Sequence, residues 1–255
     1  MNTKIISGIL LLFISSFSFS QNTPFDEIKT QNGILKIQPI VHGSLVLTYN
    51  NKTIYVDPYG GFTPYKNLQA PDIVLITDIH GDHLDEKTLD SINTSKAIFI
   101  TPKAVADQIS EKYKSKITIL ENGQGIHRLD FFIKAIPMYN LPENPPSKKH
   151  PKGRGNGYIL TIDNQQIYIS GDTEDIPEMR NLQNIDIAFI CMNLPFTMTI
   201  EQATSAVLEF KPKIVYPYHY RGTDGLSDVN AFKNLVNTEN KSIDVRLKNW
   251  YTTNN

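Results

Sequence analysis

The stretch "DIHGDH", directly after the apolar run "DIVLIT", brings two histidines and two aspartates together. They are Asp78, His80, Asp82 and His83. Alternate side chains of an extended segment project to one side, so the first three can face together. The fourth can join them where the chain turns into the helix that "LDEKTLDSI" predicts. Imidazole and carboxylate groups are ligands that zinc takes in proteins, and manganese or iron also, so the stretch predicts a transition-metal site.

Two further candidates follow predicted strands elsewhere in the chain. Asp172 lies in "IYISGDTED", and His219 ends "KIVYPYHY". Functional residues of sheet proteins gather where strands end. Each residue alone has an ordinary alternative, since Asp172 could stabilise a turn and His219 could be a core histidine among tyrosines. Together with the first cluster they indicate one centre with ligands from three parts of the chain.

The two halves of the sequence contain a repeated pattern. "LTYNNKTIYVDP" (47–58) is similar to "LTIDNQQIYISG" (160–171), and each predicts a strand, an Asn-containing turn and a second strand. A further strand follows each pair, "DIVLIT" in the first half and "DIAFIC" in the second. Predicted helices separate later strands, and "TIEQATSAVLEF" offers Thr199 and Gln202 as a capping box. The pattern predicts one α/β domain with two packed sheets, helices outside and an internal duplication.

One long polar stretch interrupts this pattern. "NLPENPPSKKHPKGRGNG" (140–157) is rich in Pro and Gly, which predicts a loop without regular structure. Loops of this length inside a compact domain are usually functional or disordered. Its basic residues are Lys148, Lys149, Lys152 and Arg154. They could attract an anionic substrate or form a solvated surface without a ligand.

Charge and composition exclude some functions. The 255 residues carry a net charge of −1, so no field of one sign indicates nucleic acid or an anionic membrane as a partner. Cys191 is the only cysteine, so no internal disulfide can form. Its apolar surroundings favour a core residue over a reactive thiol.

The beginning of the chain resembles an export signal. "MNTK" is followed by the apolar stretch "IISGILLLFI", and Ser18 and Ser20 precede a cleavage position ahead of Gln21. An uncleaved membrane anchor is the alternative, but the apolar run is shorter than the ~20 residues that a span needs. We therefore predict a signal peptide (1–20), a mature domain (21–255) without stable membrane insertion, and a periplasmic or secreted location.

The candidate metal ligands, in the order in which they occur along the sequence, make the chain resemble the metallo-β-lactamase fold superfamily. The signature of that family is His-x-His-x-Asp-His, then a His, a bridging Asp in a Gly-Asp-Thr-like turn, and a last His. The resemblance implies a four-layer αββα sandwich of two similar halves. "IYVDPYGG", "IYISGDTEDIPEM" and "YPYHY" are most similar to the branch with ascorbate-6-phosphate lactonases and N-acylphosphatidylethanolamine phospholipase D.

The resemblance also implies a role for each candidate residue. His80 would belong to a first metal site, Asp172 would bridge two ions, and a second site would contain Asp82, His83 and His219. Two positions depart from the family pattern, because Asp78 and Asn140 stand where histidines are usual.

Other residues would complete or support these two sites. His150 could replace the missing ligand of the first site, bind substrate or face solvent. Asp57 could orient a ligand histidine or serve only the turn before Pro58, and His42 is a further candidate at a strand end.

The implied activity is hydrolysis of a small molecule with one or two divalent ions. A metal-bound hydroxide would attack an ester, lactone or phosphodiester, and Asp82 would orient it as the catalytic residue. The alternative is a metal-dependent binding or sensing protein with a degraded first site. The sequence does not indicate the oligomeric state.

Overall fold

A computed structural model of the protein describes residues 25–145 and 147–251. The predicted signal peptide lies outside the described residues. The strands are β1 (Asp26–Lys29), β2 (Ile34–Pro39), β3 (Leu45–Tyr49), β4 (Lys52–Val56), β5 (Ile73–Leu75), β6 (Ile98–Thr101), β7 (Ile117–Ile119), β8 (Gly125–Arg128), β9 (Phe131–Met138), β10 (Gly155–Ile162), β11 (Gln165–Ile169), β12 (Ile187–Cys191), β13 (Ile214–Tyr218), β14 (Arg221–Gly222), β15 (Gly225–Leu226) and β16 (Asp244–Val245). The helices are α1 (Glu86–Ser91), α2 (Lys103–Gln108), α3 (Glu111–Lys114), α4 (Pro177–Arg180), α5 (Ile200–Phe210) and α6 (Val229–Glu239), with a 3-10 turn at Thr63–Tyr65.

Two seven-stranded sheets have the same internal arrangement. The first sheet follows chain order from β1 to β7, and the second has the order β16-β13-β12-β11-β10-β9-β8. In the first, β1 to β4 pair antiparallel and β4 to β7 pair parallel. In the second, β8 to β11 pair antiparallel, and β11, β12, β13 and β16 pair parallel. The predicted α/β sandwich of two similar halves is confirmed.

The core lies between the two sheets. Leu47 and Ile54 from the first sheet belong to the same apolar cluster as Leu160 and Ile167 from the second. The other face of the first sheet packs on α1 and α2 through a separate cluster that includes Val74 and its neighbours. Buried residues of α5 and α6 join the main cluster from the side of the second sheet. Burial on both faces explains why β5 and β12 are continuously apolar.

Local sequence signals explain how the equivalent hairpins and the longest helices form. Asn50 and Asn51 both adopt positive φ angles, 46° and 58°, at the turn between β3 and β4, where asparagine tolerates that conformation. Thr199 and Gln202 form the predicted capping box of α5, because each side chain accepts a hydrogen bond from the other residue's backbone N–H. Among the described residues, no helix is both long enough and apolar enough to cross a membrane.

Strand β10 links the second sheet to the segment that carries the "DIHGDH" stretch. The backbone N–H of Asn156 donates to the Thr77 carbonyl at 2.9 Å. The Tyr158 hydroxyl donates to the Ile76 carbonyl at 2.9 Å. This strand begins at Gly155, inside the stretch predicted to be irregular. Because Gly155 has no side chain, its backbone can lie close to the backbone of Thr77. These bonds fix the segment that follows β5 of the first sheet against the second sheet.

Replacing Gly155 by alanine is expected to lower the free energy of unfolding by about 1–3 kcal/mol. The new Cβ would lie 2.8 Å from the Thr77 carbonyl oxygen, which belongs to backbone and has little room to move. Urea unfolding of the metal-free protein measures the change. Gly81→Ala is the matched control, because its Cβ would meet no atom within 4 Å. Equal losses in both variants would show that the close approach at Gly155 is unimportant.

Candidate metal centre

The residues singled out by the sequence come from loops that follow strands of both sheets. Parallel strands of each half end at one edge, and their loops meet where the sandwich brings these edges together. His42 follows β2, and Asp57 follows β4. Asp78, His80, Asp82 and His83 follow β5. Asn140 and His150 follow β9, Asp172 follows β11, and His219 follows β13.

Four of these residues form what we name the Asp172 cluster: Asp82, His83, Asp172 and His219. The Nε2 atoms of His83 and His219 are 3.3 Å apart. The Asp172 Oδ2 atom lies 3.4 Å from His83 Nε2, and its Oδ1 atom lies 3.4 Å from His219 Nε2. The Asp82 Oδ2 atom is 3.2 Å from His219 Nε2.

These separations fit a bound transition metal. Tetrahedral ligands at zinc distances of about 2.0–2.1 Å are about 3.4 Å from one another. Asp172 Oδ1 is buried and has no hydrogen-bond partner among the residues described, which is rare for a carboxylate oxygen. One separation is longer, at 3.9 Å between His83 Nε2 and Asp82 Oδ1. Asp82 is also the most exposed member of the cluster, with 35 % of its side chain accessible, so the cluster opens toward solvent beside it.

Asp57 holds His83 from behind. Its Oδ2 atom lies 2.8 Å from His83 Nδ1, and the Thr77 hydroxyl donates to the same oxygen at 2.6 Å. The Thr77 backbone N–H donates to Oδ1 at 2.7 Å. Burial raises the pKa of Asp57, although the bonds from His83 and Thr77 oppose this. Because Nδ1 is engaged by a carboxylate, the Nε2 lone pair of His83 can face a cation, as is usual for metal-binding histidines.

The charges within the Asp172 cluster compensate one another. Burial raises the pKa of Asp172, but His219 and His83 outweigh that effect and bring the pKa well below its usual range. Burial lowers the pKa of His83, but Asp172 and Asp57 outweigh it and raise the pKa well above its usual value. A divalent cation that displaces the proton of His83 would take over this compensation of Asp82 and Asp172.

A second group, the Asp78 cluster, contains Asp78, His80 and His150. One potential ligand atom from each lies within 4.8 Å of the others. His80 Nδ1 is 2.8 Å from Asp78 Oδ2, and His150 Nε2 is 4.0 Å from the same oxygen. His150 Nε2 also lies 3.4 Å from Asp172 Oδ2, so Asp172 stands between the two clusters.

Asn140 positions His150 and does not point its own oxygen into either cluster. The His150 Nδ1 atom donates to the Asn140 Oδ1 atom at 2.5 Å. The Asn140 amide nitrogen donates to Glu174 Oε1 and to the Phe196 carbonyl. His150 is completely buried, and its Nε2 atom has no hydrogen-bond partner in the described part of the chain. The structure therefore brings His150, ten residues beyond Asn140, to the position between Asp78 and Asp172.

Arg154 forms a contact that sequence reasoning missed. Its Nε and Nη2 atoms donate to Oδ1 and Oδ2 of Asp78 at 3.0 and 2.8 Å. Nη2 also lies 3.4 Å from His80 Nε2. Neighbouring Lys152 pairs with Glu143 and Glu178, so much of the loop's basic charge is neutralised within the protein. No sequence signal indicated this contact, because the stretch that contains Arg154 was predicted to be a loop throughout.

His42 lies beside the Asp172 cluster. One ligand atom each of His42, Asp82 and His219 lie within 4.8 Å of one another. The His42 carbonyl accepts the backbone N–H of His219 at 3.1 Å, and its Nδ1 atom is 3.3 Å from the Tyr251 hydroxyl. Burial, followed by the charge of His219, lowers the pKa of His42 to about 4. His42 therefore presents a neutral imidazole at the side of the cluster.

Known proteins are similar to this chain over most of its length. A family profile described as the beta-lactamase superfamily domain matches residues 36–219. A UPF0173 metal-dependent hydrolase of Pyrococcus horikoshii is 30 % identical over 80 % of this chain and 92 % of the relative. The crystal structure of a Parabacteroides distasonis protein described as a metal-dependent hydrolase is 41 % identical, covers 89 % of this chain and 98 % of that one, and has a TM-score of 0.78.

A more distant structure supports the fold alone. Igni18, a metallo hydrolase of Ignicoccus hospitalis, is 23 % identical and covers 84 % of this chain and 94 % of its own, with a TM-score of 0.71.

Replacing Asp57 by asparagine is expected to weaken zinc binding by about 10- to 100-fold, because the carboxylate no longer orients His83. Competition with a chromogenic zinc chelator measures the dissociation constant, and circular dichroism checks the fold. Asp107→Asn is the matched control, since Asp107 is an exposed residue that pairs with Lys103 on α2. An unchanged dissociation constant in Asp57→Asn would contradict the supporting role.

Proposed function

The chain belongs to the metallo-β-lactamase superfamily, and on that premise we propose that it is a metal-dependent hydrolase of an ester, lactone or phosphodiester. The observation that carries the proposal is the convergence of the Asp172 cluster at a partly open edge of the sandwich. Two buried histidine nitrogens and the Asp172 carboxylate there have the separations of zinc ligands, and the Asp82 carboxylate lies 3.2 Å from one of these nitrogens. Zinc is the cation we propose first, and manganese or iron would accept the same donors.

Each side chain of the centre has a task in this proposal. A divalent ion held by the cluster would lower the pKa of a coordinated water toward ~7 and polarise a substrate oxygen. Asp82 is the most exposed member of the cluster, so its carboxylate would accept a hydrogen bond from the attacking water, take up its proton and pass that proton to the leaving group. Asp57 keeps the His83 ring in place, and buried Asp172 would be a carboxylate ligand of the ion.

The proposed substrate is a small molecule, and its charge is proposed to be negative. Lys148 and Lys149 are exposed on the loop that carries His150, and the Lys149 ammonium lies 4.4 Å from the centre of the Phe196 ring. The resemblance of the sequence motifs to the branch with ascorbate-6-phosphate lactonases and N-acylphosphatidylethanolamine phospholipase D is the reason for proposing a lactone or a phosphodiester as the bond to be cleaved. A net charge of −1 argues against nucleic acid as the substrate.

We also propose that the protein is exported to the periplasm or secreted. The support is the order of "MNTK", an apolar stretch and the small residues Ser18 and Ser20. Amino-terminal sequencing of the protein recovered from its native host tests this proposal. A chain beginning at Gln21 is the expected result, and an intact amino terminus in a cytosolic fraction would contradict it.

Replacing His83 or Asp172 by alanine is expected to lower hydrolysis of model substrates by more than about 100-fold, because either change removes a proposed cation ligand. The panel contains a p-nitrophenyl ester, a γ-lactone and bis(p-nitrophenyl) phosphate. His127→Ala and Asp130→Ala are matched controls, since both residues are exposed at the β8–β9 hairpin. Wild-type protein that keeps its cation but hydrolyses no member of a broad panel would favour a metal-dependent binding or sensing protein.

A further inference from the structure

The two clusters differ in how their carboxylates are compensated. The Asp172 cluster contains two carboxylates, Asp82 and Asp172, and two imidazoles whose Nε2 atoms converge on them. The Asp78 cluster contains one carboxylate, and Arg154 already donates to both of its oxygens. A cation binds imidazoles in their neutral form, and in that form the first group has a charge of about −2 and the second, including the guanidinium, about 0. Only the first matches a divalent cation.

We propose that the Arg154 guanidinium takes the place of a first metal ion, so that the centre binds one divalent cation, in the Asp172 cluster. This inference rests on the proposed function only in assuming that the Asp172 cluster holds a metal. It assigns to Arg154 a positioning role toward Asp78 and a fixed positive charge beside the cation. Asp78 and Arg154 together then replace a histidine ligand and its ion.

The contacts of Arg154 make it a poor neighbour for a second cation. The Nη2 atom lies 2.8 Å from Asp78 Oδ2 and 3.4 Å from His80 Nε2. A cation bound by Asp78, His80 and His150 would use the same carboxylate, so it would lie within a few ångströms of the guanidinium. An arginine cannot lose its proton in this setting, so the repulsion cannot be relieved by deprotonation.

Arg154 is also held where it is. Its backbone N–H donates to the Pro151 carbonyl at 3.2 Å, and the next residue begins β10. The Asp78 side chain is fully buried and that of Arg154 is 16 % exposed. Departure of the guanidinium would leave a buried carboxylate without its bidentate partner, which is strongly unfavourable.

Zinc stoichiometry of the purified protein tests this inference without any substrate. Metal-free protein is loaded with excess zinc and desalted, and bound zinc per chain is measured by inductively coupled plasma mass spectrometry. We expect one equivalent in the wild type, one in Arg154→Lys, which keeps the charge, and close to two in Arg154→Met. In a competition titration, the second equivalent should bind Arg154→Met more than about tenfold tighter than it binds the wild type.

A second variant keeps the test decisive if Arg154→Met does not fold. Asp78→Asn should retain one equivalent, because Asp78 is not a ligand of the cation in the Asp172 cluster. Lys152→Met is the matched control for altered loop charge, since Lys152 pairs with Glu143 and Glu178 and does not touch Asp78. It should also bind one equivalent, and circular dichroism verifies the fold of each variant.

The outcomes separate this inference from the proposed function. Two equivalents in the wild type, one in folded Arg154→Met, or loss of zinc from folded Asp78→Asn would each overturn the replacement by Arg154 and leave the hydrolase proposal standing. One equivalent with no turnover of any substrate would support the replacement and overturn the hydrolase proposal. A wild-type protein that binds no zinc, manganese or iron would overturn both.

Discussion

The structure depends on the compensation of a buried carboxylate. Asp172 is only 3 % exposed and lies among His83, His150 and His219, at 3.4 Å from one nitrogen of each. A lone carboxylate in such a place would take up a proton or destabilise the fold. Its ionised state therefore requires that loops from both halves of the protein arrive together. The stability of the fold and the binding of a cation therefore both require the same meeting of these loops.

The duplicated topology brings the loops of the two halves together. Asp172 follows β11, and Asp57 follows β4, the equivalent strand of the other half. The two carboxylates face opposite nitrogens of one ring, because Asp57 contacts His83 Nδ1 and Asp172 contacts His83 Nε2. Equivalent strand ends thus provide the support behind His83 in one half and a candidate ligand in the other. The bonds from β10 to Ile76 and Thr77 hold the two halves at the required spacing.

Much of the fold could be predicted from the sequence, because its signals are local. The two hairpins, the apolar strands after them and the capping box of α5 all depend on residues close in the chain. The carboxyl-terminal segment was harder to predict. "VRLKNWY" has strand-like composition, but only its first residue belongs to a strand, β16. There Trp250 is buried instead, and its indole N–H donates to the Ser44 carbonyl. That contact joins residues 206 positions apart, and no local pattern predicts it.

The same distinction explains what could be predicted of the site. The "DIHGDH" stretch, Asp172 and His219 were visible because each directly follows a strand, whose end fixes where the side chain goes. The path of the loop between β9 and β10 has no such anchor. The sequence therefore left three roles open for His150 and did not reveal that Asn140 fixes its orientation. Residue type indicated the chemistry both for the residues that follow strands and for those of the β9–β10 loop. The position of a side chain could be predicted only where a strand directly precedes it.

Asp78 and Arg154 show why a residue that departs from a family pattern has to be interpreted together with the residue that contacts it. A histidine at position 78 would be neutral when binding a metal, and it would leave the Arg154 guanidinium beside a cation with no carboxylate to compensate it. An aspartate at 78 without Arg154 would instead be a buried, negatively charged ligand that attracts a cation. Each residue is unfavourable without the other, and together they form a bidentate ion pair with nearly no net charge. The unusual aspartate and the arginine 76 positions away are therefore one change in the electrostatics of the centre.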